Sequence, residues 1–410
     1  MKNEIVSIFG PFDQVVTMRG LPKSGPIKDE QLEIITQGAV RVLNGKIIEI
    51  GNYKEIAQSK DQKIEFDYPS VVIPGFIDAH THMCWAGTRA HDYALRLNGL
   101  TYTEIAKLGG GILNTVKKTR EASLEELINK LKERLVKHQH EGVTTCEIKS
   151  GYGLNFEDEI KMLQAIQHCA EESLVTIVPT CLAAHIKPPE YKTNQDYLTF
   201  IIDILLPYIK EKKLSQRVDI FIEEGAFNPN EAFEYLLKAK KLGFEITVHA
   251  DQFSQGGAKI AALAGAISAD HLEVSEIEDM ELLKKHHVIP IVLPGASLGL
   301  GLPFAPARKI LDCGLSLVIA SDWNPGSAPQ GSLLLQASLL SAYEKLSMAE
   351  TLAALTCRAS HALNLQDRGK LDLLKRADML VFNASDFSEI LYYQGSLKPS
   401  DVICRGINSI

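Results

Sequence analysis

The chain reads as an α/β protein: a closed, TIM-like (β/α)8 barrel of parallel strands beside a small β-sandwich formed by both termini. Three observations predict this. From Val71 onward, short runs rich in Val and Ile alternate with longer segments of helical period. Eight such runs, ending near His80, Ser150, His185, Glu224, Asp251, His271, Gly295 and Asp322, follow one another, and eight strand–helix units in one stretch close on themselves. Both flanks break that rhythm with short alternating segments, the pattern of antiparallel strands.

Residues 1–72 supply the first part of the sandwich. Within them, 39–50 alternates apolar and polar around Asn44-Gly45, a strong hairpin-turn pair. Residues 73–370 form the barrel, entered through the apolar run 71–77. Apolar residues three and four apart at 124–140, 158–170, 196–210, 230–242 and 275–286 predict helices that lay one face on the strands. The longest uncharged stretch, 288–307, contains Pro290, Pro294, Pro303, Pro306 and three glycines, which would break a membrane-spanning helix. It reads as a buried strand followed by a long loop. Residues 371–410 hold two more strand-like pieces, 377–382 and 401–406, and complete the sandwich.

With 410 residues and 45% hydrophobic composition the chain can bury a large core. A net charge of -8 without any basic stripe argues against a nucleic-acid partner. The seven cysteines, at 84, 146, 169, 181, 313, 357 and 404, make no CxxC pair, so neither a disulfide framework nor a zinc knuckle is expected. Their odd number suits a reducing compartment, and charge interrupts the first ten residues where a signal peptide needs an apolar run. A cytoplasmic protein without membrane attachment is the expectation.

Chemistry concentrates at the strand ends. In Asp78-Ala79-His80-Thr81-His82, alternate residues of an extended strand share a face, so His80 and His82 can close on one metal ion. His249 ends the run 244–248 and Asp322 ends 315–321, giving three imidazoles and a carboxylate at the carboxyl ends of three strands. A cation so held leaves room for water and acidifies it to near neutrality. Asp322 could also pass a proton to a leaving nitrogen, or could instead cap a following helix. His185 and His271 terminate two further runs and enlarge the polar pocket; the remaining seven histidines, including His138, His140, His286 and His287, are assigned to surface or capping roles. Arg89 is placed on the first loop above the barrel, where a guanidinium would pair with a substrate carboxylate unless it is simply a surface residue. Gly151-Tyr152-Gly153 reads as a mobile turn presenting an aromatic hydroxyl.

These residues resemble the amidohydrolase superfamily, through Pro74-Gly75-Phe76-Ile77-Asp78-Ala79-His80-Thr81-His82 and Ser321-Asp322. Within it the chain is similar to the imidazolonepropionase family of histidine degradation. That narrower likeness rests on Trp85-Ala86-Gly87-Thr88-Arg89, Gly109-Gly110-Gly111-Ile112, Lys149-Ser150-Gly151-Tyr152-Gly153-Leu154, His249-Ala250-Asp251-Gln252, Ser268-Ala269-Asp270-His271-Leu272-Glu273 and Ser321-Asp322-Trp323-Asn324-Pro325-Gly326-Ser327. The resemblance implies metal-dependent hydrolysis of the ring amide of 4-imidazolone-5-propanoate, a small anionic heterocycle, to N-formimidoyl-L-glutamate. It implies one zinc or iron ion on His80, His82, His249 and Asp322, with metal-activated water attacking the ring carbonyl. Arg89 would anchor the propanoate, with Tyr152, His185, Gln252 and Ser327 contacting substrate and Asn324 and Gly326 joining Tyr152 around the product. His185 and His271 would polarise the carbonyl oxygen, Asp322 would accept and return the proton, and the enzyme would be a homodimer. Some family members carry Glu where this chain has Gln252; an amide carries no proton, so the base is expected to be Asp322 with His271 assisting.

Three other readings compete. A deaminase of a cytosine- or guanine-like heterocycle would use a similar barrel but needs a glutamate shuttle near the fifth strand, where Gln252 stands. A two-metal cyclic-imide hydrolase would need a bridging lysine after the fourth strand; the candidate, Lys149, follows the second. A catalytically silent barrel would have lost one of the four ligands, all of which are present.

Overall fold

The computed structural model describes residues 5–409. Eight parallel strands stand in sequence order: Phe76–Asp78, Val143–Lys149, Thr176–Ala184, Arg217–Ile220, Glu245–Ala250, Ser268–His271, Ile289–Val292 and Val318–Ile319. Just past the first and last of these, Thr81 bridges Trp323 in parallel register, with Asp322 N donating to His80 O at 3.0 Å and His82 N to Trp323 O at 3.0 Å. The barrel thus closes at the level of the predicted metal residues, and the eight-unit reading holds.

The helices fall where the period placed them. Leu124–His140 shows why: Ser123 accepts the Glu126 amide at its start, and Leu127, Leu131, Leu135 and His138 form one buried stripe against the barrel. Between the first strand and this helix, three short helices (Ala90–Leu97, Tyr102–Lys107 and Ile112–Glu121) form a long excursion that starts at the mouth of the barrel.

The two ends of the chain share one eight-stranded sheet, in which Met379–Asn383 pairs antiparallel with Ser70–Pro74. Its hairpin turns at Asn44 and Gly45, whose φ values of 51° and 74° are the positive pair of a type I′ turn. Phe9, Phe12, Val15, Val40, Ile47, Val72, Met379 and Val381 give this sheet its own core.

The apolar run 71–77 is divided between the two sheets. Ser70–Pro74 belongs to the terminal sheet and Phe76–Asp78 to the barrel. Gly75 makes the crossing, and a Cβ there would lie 2.2 Å from Thr144 Oγ1, so no larger residue fits. The stretch after Val292 also departs from the expected long loop: Pro294–Leu300 is a helix, with proline at its first position, where the missing N–H costs nothing. Among the described residues no helix is long and apolar enough to cross a membrane.

Candidate metal centre and substrate site

His80 and His82 lie beyond the first strand, not within it. Their alternation survives because Thr81 between them is tied twice to the second strand: its carbonyl accepts the Lys149 amide at 2.9 Å, and its hydroxyl donates to Glu147 O at 2.6 Å. The two Nε2 atoms stand 3.2 Å apart, and His249 Nε2 is 3.3 Å from that of His82. Asp322 Oδ1 lies 3.3 Å from His82 Nε2 and 3.7 Å from His80 Nε2. Donors on one ion with bonds of about 2.0–2.1 Å are about 3.3 Å from one another, so His80, His82 and Asp322 group closely enough to share a cation, and His249 meets them through His82.

The rings are aimed from behind. His80 Nδ1 lies 2.7 Å from Asp270 Oδ2, and His249 Nδ1 lies 2.9 Å from Asp219 Oδ2. Asp270 accepts a hydrogen bond from His80 Nδ1–H and Asp219 faces His249 Nδ1, which leaves each Nε2 lone pair facing the common centre, the outer arrangement that metal-binding histidines use. Three bare imidazole nitrogens and a carboxylate this close repel one another unless a cation lies between them. Burial, aided by the Lys149 charge, pushes His82 down to about 3 and His80 well below its ordinary range. Burial also pushes His249 down to about 4. All three are therefore neutral at pH 7, as ligation requires.

Lys149 sits beneath this cluster, fully buried, with Nζ 2.7 Å from Glu147 Oε2, 2.8 Å from Asp219 Oδ2 and 3.9 Å from Asp270 Oδ2. Burial alone would discharge it, but the three carboxylates hold it above the usual lysine range. It serves as the counter-charge of the residues that orient the imidazoles.

His271 differs from the other three rings. Burial acts to lower it, yet Glu273, 3.4 Å from Nδ1, and Asp322 outweigh this and raise its pKa. One of its ring nitrogens also lies within 4.8 Å of those of His80 and His249. It is the imidazole suited to donate. His185 stacks on His82 with centroids 5.5 Å apart, and its Nδ1 meets Gly151 O at 3.0 Å.

Two sequence expectations need correction. Gly151-Tyr152-Gly153 is not a mobile turn: the fully buried Glu159 accepts the amides of Gly151, Gly153 and Leu154 at 3.2, 2.8 and 2.9 Å, fixing Tyr152 beside His185 at 5.5 Å. His138 has no surface role. It is fully buried, with Nε2 2.9 Å from Asp78 Oδ2, while Asp78 Oδ1 accepts the Ser321 amide at 2.9 Å. This pair locks the first barrel strand to the eighth, two residues before His80.

The loop after the eighth strand carries the rest. Asp322 adopts φ 49°, no helix follows for it to cap, and Asn324 Nδ2 donates to its Oδ2 at 2.9 Å and to Ser327 Oγ at 2.9 Å. Asn324 Oδ1 in turn accepts the amides of Gly326 and Ser327 at 2.7 and 2.8 Å. Arg89 immediately precedes the helix Ala90–Leu97 and its Nε donates to Asp92 Oδ2 at 2.8 Å, so it is a fixed group rather than a loose surface arginine. Asp92 is itself held by the Gly111 amide at 2.8 Å, and a Cβ on Gly110 would come within 2.5 Å of it, which explains the glycine at 110. A Cβ on Gly326 would lie 2.4 Å from Arg89 Nη1. The structure therefore brings Arg89 to the metal-side loop. Gln252 is buried, three residues past His249 on the chain that leaves the fifth strand.

Sequence reasoning missed Asp219, Asp270 and Glu147 and gave Lys149 no structural part. The available signal was a set of charged residues inside strands that are buried on both faces.

Residues 100–391 match the model of the amidohydrolase family, more than half of the chain, which defines the class. Solved structures of an adenosine deaminase from Xanthomonas campestris with bound zinc (TM-score 0.71, 15% identity, 99% of this chain and 93% of that one) and a guanine deaminase from C. acetobutylicum (TM-score 0.68, 17% identity, 99% and 100%) share the fold. The imidazolonepropionase of Bdellovibrio bacteriovorus is 42% identical over 386 residues, 93% of this chain and 90% of that protein. That of Geobacillus thermodenitrificans is 39% identical over 403 residues, 96% and 95%. The chain belongs to the imidazolonepropionase family.

Proposed function

We propose that the chain hydrolyses the ring amide of 4-imidazolone-5-propanoate to N-formimidoyl-L-glutamate, with His80, His82, His249 and Asp322 holding one zinc or iron ion. The observation that carries this reading is the convergence of three neutral Nε2 atoms and one carboxylate in a cluster that the fixed guanidinium of Arg89 reaches through Gly326. A divalent ion supplies Lewis acidity there, bringing the pKa of a water from about 16 to roughly 7.

The chain's own groups do the remaining work. Arg89, its Nε engaged by Asp92, offers its terminal nitrogens to the propanoate carboxylate. Tyr152 and His185, held by Glu159 and Gly151 O, flank the ring and keep it at one depth. Asp322 takes the proton released by the attacking water and returns it to the ring nitrogen that leaves; Asn324 on its Oδ2 keeps the other oxygen turned to the histidines. His271, held up by Glu273, donates toward the carbonyl oxygen as charge develops on it. Gln252 offers hydrogen bonds but no exchangeable acid proton, so the proton route runs through Asp322. Ser327 and Gly326 border the same space through Asn324. The seven free cysteines, six of them buried, support a cytoplasmic setting.

Mass spectrometry of products after mixing the metal-loaded protein with fresh 4-imidazolone-5-propanoate tests the reading, with cytosine and guanine as controls. N-formimidoyl-glutamate that disappears on chelation is expected. Ammonia from a control, with no product from the imidazolone, would instead assign a deaminase.

A further inference from the structure

Arg89 is not the only guanidinium at its site. Arg96 lies on the same helix, Ala90–Leu97, two turns beyond Arg89. Its Nη2 donates to Gly326 O at 3.2 Å, and Gly326 is the residue whose Cβ would lie 2.4 Å from Arg89 Nη1. Both cations therefore meet one glycine, on the segment that also carries Asp322, Asn324 and Ser327. Arg96 Nε is buried with no hydrogen-bond partner, and among the described residues no carboxylate pairs with Arg96. Asp92, the acid that acts on both, is used by Arg89 Nε and the Gly111 amide. Two guanidiniums against one carboxylate leave a net positive site, in a chain whose overall charge is -8. Burial and the neighbouring Arg89 charge both push the Arg96 pKa down, the mark of a cation short of an anion.

We propose that Arg96 is the second guanidinium of the carboxylate anchor, a specificity residue that selects substrates bearing a side-chain carboxylate. The proposal rests on the reading that Arg89 binds that group. With Arg89 tethered to Asp92 and Arg96 to Gly326 O, the two cations are held in place before substrate arrives, so little side-chain freedom is lost on binding. The anchor accepts a compact anion and disfavours neutral heterocycles, for which two partly desolvated guanidiniums would stay uncompensated.

The test is steady-state kinetics of Arg96→Gln and Arg96→Lys on 4-imidazolone-5-propanoate and on its side-chain propanamide, which lacks the charge, with Arg89→Met as reference. Glutamine removes the charge and ends two atoms short of the guanidinium's end, lysine keeps the charge, the acid-against-amide comparison separates charge from loop docking, and thermal unfolding confirms that each variant is folded. Arg96→Gln should raise KM for the acid roughly ten- to hundredfold while the amide's kcat/KM rises, because one uncompensated cation is gone. Arg96→Lys should recover much of the acid KM. Equal losses on acid and amide, or an unchanged acid KM, would overturn the proposal and leave Arg96 a docking residue. If the wild-type protein does not prefer acid over amide at all, the Arg89 reading fails and this proposal with it. If Arg89→Met removes the preference but Arg96→Gln does not, only the proposal fails.

Discussion

Asp219 Oδ2 lies 2.9 Å from His249 Nδ1 and 2.8 Å from Lys149 Nζ, so one buried oxygen faces both an imidazole of the candidate metal centre and the lysine charge beneath it. Asp219→Asn keeps the shape of the side chain but removes the charge that fixes the Nδ1 proton. Metal affinity, measured by competition with a chelator, should fall roughly ten- to hundredfold while the fold persists. Unchanged affinity would show that His249 is oriented by packing alone.

The propanoate anchor predicts a particular kinetic pattern. Arg89→Ala should raise KM for the acid at least about tenfold through loss of charge-assisted hydrogen bonds, and lower kcat as well because the ring is no longer held at one depth. Unchanged kinetics would remove Arg89 from the site.

Gly326→Ala offers a milder way to disturb the same anchor. Its methyl group would come within 2.4 Å of Arg89 Nη1 and must displace that guanidinium. A raised KM with normal metal content is expected; loss of metal instead would mean that the loop around Asp322, not the anchor, had moved.

Glu159 is buried and takes three backbone amides, those of Gly151, Gly153 and Leu154. Glu159→Ala strands these donors at about 1–3 kcal/mol each in an isolated case, so a destabilisation of at least about 2 kcal/mol is expected, together with a raised KM as Tyr152 loses its support. Denaturant unfolding and kinetics on the same preparation would separate the two effects. Full stability would contradict the clamp.

Much of the site was readable in the sequence because barrel chemistry gathers at strand ends: His80, His82, His249, His271 and Asp322 all close apolar runs, and closure of the barrel brings them together. The shell beneath was not. In Arg217-Val218-Asp219-Ile220, polar and apolar residues alternate as in a half-exposed strand, yet this strand is buried on both faces and its carboxylate points inward to Lys149 and His249. Only the three-dimensional pairing shows which charge answers which. His138 carried a legible signal that neighbouring polar residues concealed, since it continues the spacing of Leu127, Leu131 and Leu135 on one helical face. The run 71–77 gave no sign of its division at Gly75, because both sheets bury the strands it supplies.

The most direct test of the account compares metal content and product formation in the wild-type protein and in His249→Ala. The wild type should retain one metal ion per chain and convert 4-imidazolone-5-propanoate to N-formimidoyl-L-glutamate, while His249→Ala should retain none and form no product. Full metal occupancy with normal turnover in His249→Ala would contradict the assignment of the centre.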